Sequence, residues 1–142
     1  MKKFEFLEHT ADIKFRAYGK SISDAFENSA SALVSYLAGD EKIASKKRKT
    51  INVHGNDYES LLYNFLDELL YLLDSEGFVV SKSEIKINKF NLEAKLYGDS
   101  AKNYSLDHIK AATYAEMYVK KVKPKQKNKG NERWKIQAVL DV

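Results

Sequence analysis

Apolar and polar residues alternate from the start of the chain. In Lys3-Phe4-Glu5-Phe6-Leu7-Glu8, Phe4 and Phe6 fall on one face. That period of two is the mark of a half-buried strand. Ile13-Lys14-Phe15-Arg16-Ala17-Tyr18 alternates again and stops at Gly19. A short polar connection, Glu8-His9-Thr10-Ala11-Asp12, joins the two segments.

The period then changes. Ala25, Phe26, Ser29, Leu33, Tyr36 and Leu37 recur at helical spacing, with Ser21 or Ser23 placed to cap the helix and Gly39 to end it. Thr50-Ile51-Asn52-Val53-His54 reads as a strand stopped by Gly55. Asp57 caps a second helix that ends near Gly77. Leu61, Leu62, Phe65, Leu66, Leu69, Leu70, Leu72 and Leu73 cover much of its girth, which predicts a helix sandwiched in the core.

The second half reads as strands. Phe78-Val79-Val80 begins one, and Glu84 to Phe90 alternates with Ile85 and Ile87 inward. Leu92 to Gly98 is its hairpin partner. Ile109 to Val122 and Trp134 to Leu140 are strand-like and joined by a lysine-rich loop with the chain's one proline, Pro124. A short helix opening at Asp107-His108-Ile109 is the second reading of that region. In a strand, Tyr114 and Tyr118 share a face, and packing accounts for them. The expected class is α+β: a single domain, residues 1–142, with a mainly antiparallel sheet packed against two principal helices.

Composition narrows the chemistry. There is no cysteine, which excludes disulfides, thiolate ligands and cysteine catalysis. The start carries Lys2-Lys3 but no apolar run, so no signal peptide is read there. The apolar stretch from Leu61 to Leu73 is too short to span a bilayer and contains Asn64, Asp67 and Glu68. A soluble, cytoplasmic protein with no membrane partner is expected.

The net charge is +4, from 24 basic and 20 acidic side chains, and two segments hold much of the excess. They are Lys46-Lys47-Arg48-Lys49 and the stretch from Lys120 to Lys135, which includes Lys123, Lys125, Lys127, Lys129 and Arg133. The second either attracts phosphates or is a solvated hairpin tip. It lacks the interleaved aromatics of a base-stacking surface.

No phosphate-cradling glycine loop, H-E-x-x-H or G-x-S-x-G is present, which argues against an independent nucleotide-hydrolysing enzyme. The densest polar knot is His9-Thr10-Ala11-Asp12. A carboxylate beside an imidazole and a hydroxyl suits a divalent cation or a proton shuttle, and equally a turn whose side chains satisfy the local backbone. Asp141-Val142 follows the last strand. A strand end held in a sheet fixes a side-chain carboxylate beside an α-carboxylate, whereas a frayed terminus leaves both solvated. Asp67, Glu68, Asp74 and Glu76 read as the solvated edge of the second helix, and His54 and His108 as surface or cap residues.

Phe6-Leu7-Glu8-His9-Thr10-Ala11-Asp12-Ile13 resembles the opening signature of the archease family. Ala25-Phe26, the run from Leu61 to Tyr71, Lys110-Ala111-Ala112-Thr113-Tyr114 and the ending Val139-Leu140-Asp141-Val142 are similar to the rest of the family pattern, in the family's order and over the whole chain. One departure is Ala115, where many relatives carry a histidine. The resemblance implies an accessory protein rather than an enzyme. Its partner is an RtcB-type RNA ligase of tRNA splicing, whose guanylylation and multiple turnover it promotes, and tRNA is met indirectly through the ligase. The resemblance also implies a divalent metal, Ca²⁺ by family habit with Mn²⁺ or Mg²⁺ as alternatives, held by Asp12, Asp141 and the carboxylate of Val142. His9 would orient a neighbouring carboxylate. An RNA-binding or chaperone-like module for tRNA-processing enzymes is the alternative function. A stand-alone metal-dependent hydrolase ranks last, for want of a nucleophile or general base.

Overall fold

In the computed structural model, which describes residues 2–123 and 133–142, the alternating start becomes a hairpin of β1 (Phe4–Leu7) and β2 (Ile13–Gly19). Helix α1 (Ile22–Ala38) follows, then β3 (Lys47–His54), α2 (Tyr58–Glu76), β4 (Phe78–Asn88), β5 (Asn91–Ser100), β6 (Ala111–Lys121) and β7 (Trp134–Asp141). The strands form two antiparallel sheets, β1-β2-β7-β6 and β3-β5-β4. The last strand pairs with the second, so the two ends of the chain lie side by side in the first sheet. No helix among the described residues is long and apolar enough to cross a membrane.

Both helices begin where local chemistry starts them. The Ser21 side chain accepts the Asp24 N–H at 3.1 Å, and Asp57 accepts the Ser60 N–H at 2.7 Å while the Ser60 hydroxyl accepts the Asp57 N–H at 3.1 Å. Gly77 ends α2 in the left-handed region at φ 62°, which a residue without Cβ adopts at no steric cost.

Helix α1 packs on β2 and β4, and α2 on β6, β4 and β3, so both helices bridge the two sheets. Leu61, Leu62, Phe65 and Leu66 are fully buried, and Phe26 meets Phe65 with ring centroids 6.0 Å apart. The outer stripe of α2 stays exposed at Asn64, Asp67, Tyr71 and Asp74. A second small core, Ala38, Ile43 and Val79, sits under the loop after α1. Buried Asp99 braces it: it accepts from the Tyr104 hydroxyl at 2.7 Å and the Ser100 N–H at 2.8 Å, and Tyr104 accepts from Ala44 N–H at 2.9 Å.

Four expectations needed correction. Strand β3 begins at Lys47 rather than Thr50, so most of the first basic run is strand, and Lys49 pairs with Glu76 at 2.5 Å. Phe78 to Asn88 is one strand, with a register shift between Val80 and Lys82 next to Gly98. A Cβ at Gly98 would stand 2.0 Å from the Val79 carbonyl oxygen, so only glycine fits that crossing. The short helical turn before β6 lies at Ala101–Asn103, not at Asp107. Phe6 shares a face with Phe4 and meets its ring at 5.8 Å, but β1 is an edge strand and leaves Phe6 43% exposed.

The fifth and largest difference is in β6. From Thr113 to Tyr118 it takes five steps while β7 takes two, from Val139 to Gln137. The residues between them bulge out of the ladder, and Glu116 sits in the left-handed region at φ 53°. Tyr114 and Tyr118 are therefore not successive members of one regular face. Tyr114 instead stacks on Tyr63 of α2, rings 4.3 Å apart and nearly parallel.

Candidate functional site

The two polar motifs at the ends of the chain come together at one end of the two central strands of the first sheet. Strands β2 and β7 pair through Ile13↔Leu140 and Lys14↔Val139. Asp12 is the next residue before Ile13, and Asp141 the next after Leu140. Inward positions Phe15, Ala17, Ile136, Ala138 and Leu140 are fully buried. By strand alternation Lys14, Arg16, Gln137 and Val139 take the opposite face. Continuing the same alternation puts Asp12 and Asp141 there too.

The chain end is held. Asp141 pairs with Ala111 of β6, and its carbonyl accepts the Lys110 N–H at 2.7 Å. Val142 is half-buried and packs against the core. The connection from β1 to β2 is tight, with Ala11 at φ 65°, a left-handed conformation that an L-residue takes at a cost of about 1 kcal/mol. The turn brings His9 back beside Asp12, with His9 Nδ1 3.9 Å from Asp12 Oδ2. Leu7, Glu8, His9, Thr10, Asp12 and Ile13 line an open depression there.

The β6 bulge folds over this face. Arg16 Nε donates to Gln137 Oε1 at 2.9 Å, and Gln137 Nε2 donates to the Glu116 carbonyl at 2.7 Å. This chain fixes the backbone of the bulge. The Glu116 carboxylate then reaches back over the sheet: Oε2 lies 2.8 Å from His9 Nε2, and Oε1 accepts from Lys14 Nζ at 3.1 Å. The bond from His9, and after it that from Lys14, hold the Glu116 carboxyl below its ordinary range. An ionised carboxylate only accepts, so His9 Nε2 carries a proton. His9 Nδ1 is buried and, among the described residues, has no hydrogen-bond partner.

Among the described residues no three His, Cys, Asp or Glu side chains gather closely enough to hold a metal ion. His9, Asp12 and Glu116 are neighbours but do not surround a point, because the two ring nitrogens of His9 diverge and one is already used by Glu116. The set expected from the sequence, Asp12, Asp141 and the Val142 carboxylate, has only two such side chains and is of a different kind.

Glu116 and Lys14 were absent from the sequence-based set. Nothing in their spacing marks them, since a bulge three residues deep has no sequence signature of its own. Ala115 lies on the exposed crest of the same bulge, its N–H donating to the Thr113 hydroxyl at 3.2 Å. His54 and His108 are exposed, as expected, and His54 Nδ1 lies 2.8 Å from Asn91 Oδ1. In the basic stretch, Lys120 and Lys135 lie over the Tyr118 ring, 4.3 and 5.9 Å from its centroid. Pro124, Lys125, Lys127 and Lys129 fall outside the described residues.

A model of the archease protein family matches residues 4–142. A protein archease of Pyrococcus abyssi is 41% identical, with both chains covered in full. A protein archease of Methanosarcina mazei is 36% identical over 99% of this chain and 97% of its own. A protein archease-like of Drosophila melanogaster is 35% identical over 82% of this chain and 80% of its own. The solution structure of protein 1598 from Methanobacterium thermoautotrophicum has the same architecture, with a TM-score of 0.78 at 29% identity and full coverage of both chains.

Proposed function

Since this chain belongs to the archease family, we propose that it is a cytoplasmic, metal-binding accessory protein that promotes guanylylation and multiple turnover of an RtcB-type RNA ligase. It meets tRNA through the ligase, and the ligase carries the catalytic groups. The observation that most supports this reading is the meeting of the chain's two ends, with Asp12 and Asp141 flanking the Ile13–Leu140 pair.

The residues that would hold the ion are Asp12, Asp141 and the α-carboxylate of Val142. Three observations support the fit. All three donors are anionic oxygens, the choice of hard cations such as Ca²⁺, Mg²⁺ and Mn²⁺. The strand end bearing two of them is anchored through Lys110 and the packed Val142 side chain. The neighbouring His9 Nδ1 is buried and, among the described residues, has no hydrogen-bond partner, a polar group left open beside Asp12.

When bound, a divalent ion supplies positive charge at a surface open to a partner. The protein's own part is to hold the carboxylates in place. Asp12 sits on a strained turn and Asp141 on a paired strand, so each carboxylate is carried by backbone that the fold holds. With so few protein ligands, the rest of the shell is left to water or to groups of the ligase.

The test is ligase–GMP formation at limiting ligase, with folding checked by circular dichroism. Asp12→Ala and Asp141→Ala are each expected to abolish stimulation while leaving a folded protein. One residue added after Val142 moves the α-carboxylate without changing a side chain and is expected to do the same. Full stimulation by a folded Asp12→Ala protein would remove Asp12 from the set.

A further inference from the structure

We propose that Glu116 is a positioning residue of the metal site, acting through His9 and not as a ligand; the proposal rests on the reading above. Four features of the bulge carry it. Both carboxylate oxygens of Glu116 are already engaged, Oε2 with His9 and Oε1 with Lys14. The residue is therefore poorly placed to bind an ion itself. Lys14 offsets its charge, so Glu116 adds little repulsion to Asp12 and Asp141.

Its backbone is fixed independently of its side chain. The left-handed φ of 53° and the bond from Gln137 to its carbonyl place the carboxylate over β7, toward the β1–β2 turn. Gln137 is 5% exposed and is itself tied to Arg16, so this support is largely shielded from water.

The consequence falls on His9. In the neutral ring a carboxylate at Nε2 selects the Nε2–H tautomer, which leaves Nδ1 as an acceptor. That acceptor faces the Asp12 carboxylate, itself an acceptor, across 3.9 Å, so the two make no direct hydrogen bond. Nδ1 is closed off from solvent and, among the described residues, has no hydrogen-bond partner, so the ring is held from the Glu116 side alone. The line Glu116–His9–Asp12 thus sets where the imidazole stands beside one ligand. Partners of this kind typically contribute ten- to a hundredfold in metal affinity.

The experiment combines calcium titration calorimetry with ¹⁵N NMR of the His9 ring. The unsubstituted protein is expected to show His9 as the Nε2–H tautomer. Glu116→Ala is expected to weaken Ca²⁺ binding by about tenfold or more and to mix the tautomers. Glu116→Gln, whose amide oxygen still accepts from Nε2–H, is expected to keep the tautomer and restore most of the affinity. His9→Ala is expected to match Glu116→Ala, and the double variant to lose no more than either alone. Unchanged Ca²⁺ affinity in folded Glu116→Ala, with binding lost in Asp12→Ala, would overturn this proposal and leave the metal reading standing. Additive losses in the double variant would also overturn it. No Ca²⁺ binding by the unsubstituted protein would overturn the metal reading and this proposal together.

Discussion

Ile13 and Leu140 face each other across the β2–β7 ladder, and each is followed outward by an aspartate, Asp12 on one strand and Asp141 on the other. Pairing the second strand with the last is what brings two distant acidic motifs to one end of the central strands. Like charges so placed repel without a cation between them. Millimolar Ca²⁺ or Mn²⁺ is therefore expected to raise the melting temperature, by about 2.7 kcal/mol of stability at a hundredfold excess over Kd. Thermal denaturation checks this, with NaCl of equal ionic strength as control. Asp12→Ala should melt at the same temperature with and without Ca²⁺.

The basic stretch gives a separate expectation. Replacing Lys123, Lys125, Lys127 and Lys129 with serine should slow association with the ligase at low salt and leave maximal activation unchanged, as charges that steer an encounter do. Stopped-flow association and ligase–GMP formation at saturating protein measure the two effects. Complete loss of activation at saturation would favour direct RNA binding, whose affinity should fall steeply with salt.

Asp99 makes stability depend on acid. The Tyr104 hydroxyl, and then the Ser100 N–H, hold its carboxyl below the usual aspartate range. A carboxyl whose folded pKa is depressed stabilises the fold above its unfolded value of about 3.9, and that contribution is lost as pH falls through the folded value. Asp99→Asn is expected to be less stable than the unsubstituted protein at pH 7, and the difference to close below about pH 4. Urea midpoints from pH 3 to 7 measure it, and a gap that stays constant with pH would refute the expectation.

Core and cap positions should differ in scale. Phe65 is fully buried and in ring contact with Phe26, so Phe65→Ala is expected to cost about 3–5 kcal/mol. Asp57 caps α2 from an exposed position, and Asp57→Ala is expected to cost about 1 kcal/mol. Urea unfolding of the two variants reads both.

Much of the fold was legible because its signals are local. The cap serines and aspartates, the terminating glycines and the change of period at Gly19 act within a few residues of one another. They placed α1 and α2 nearly to the residue. The charged run Lys47-Arg48-Lys49 hid the start of β3, because alternation cannot be read where every side chain is basic. There the strand is held by its pairing with β5 from Lys47↔Gly98 onward.

The sequence by itself determined the elements, the α+β class, the family and the two acidic motifs at the ends of the chain. Each of these rests on the order of residues and on spacing that local backbone geometry enforces. Only the tertiary structure decided that β2 and β7 are neighbours, that Val142 is packed rather than loose, and that β6 breaks its ladder to lay Glu116 beside His9. Those outcomes depend on contacts between residues far apart in sequence, 107 apart in the case of His9 and Glu116. The cost of ordering such contacts is met by burying α2 and the inward strand faces together, and no local pattern records that collective term.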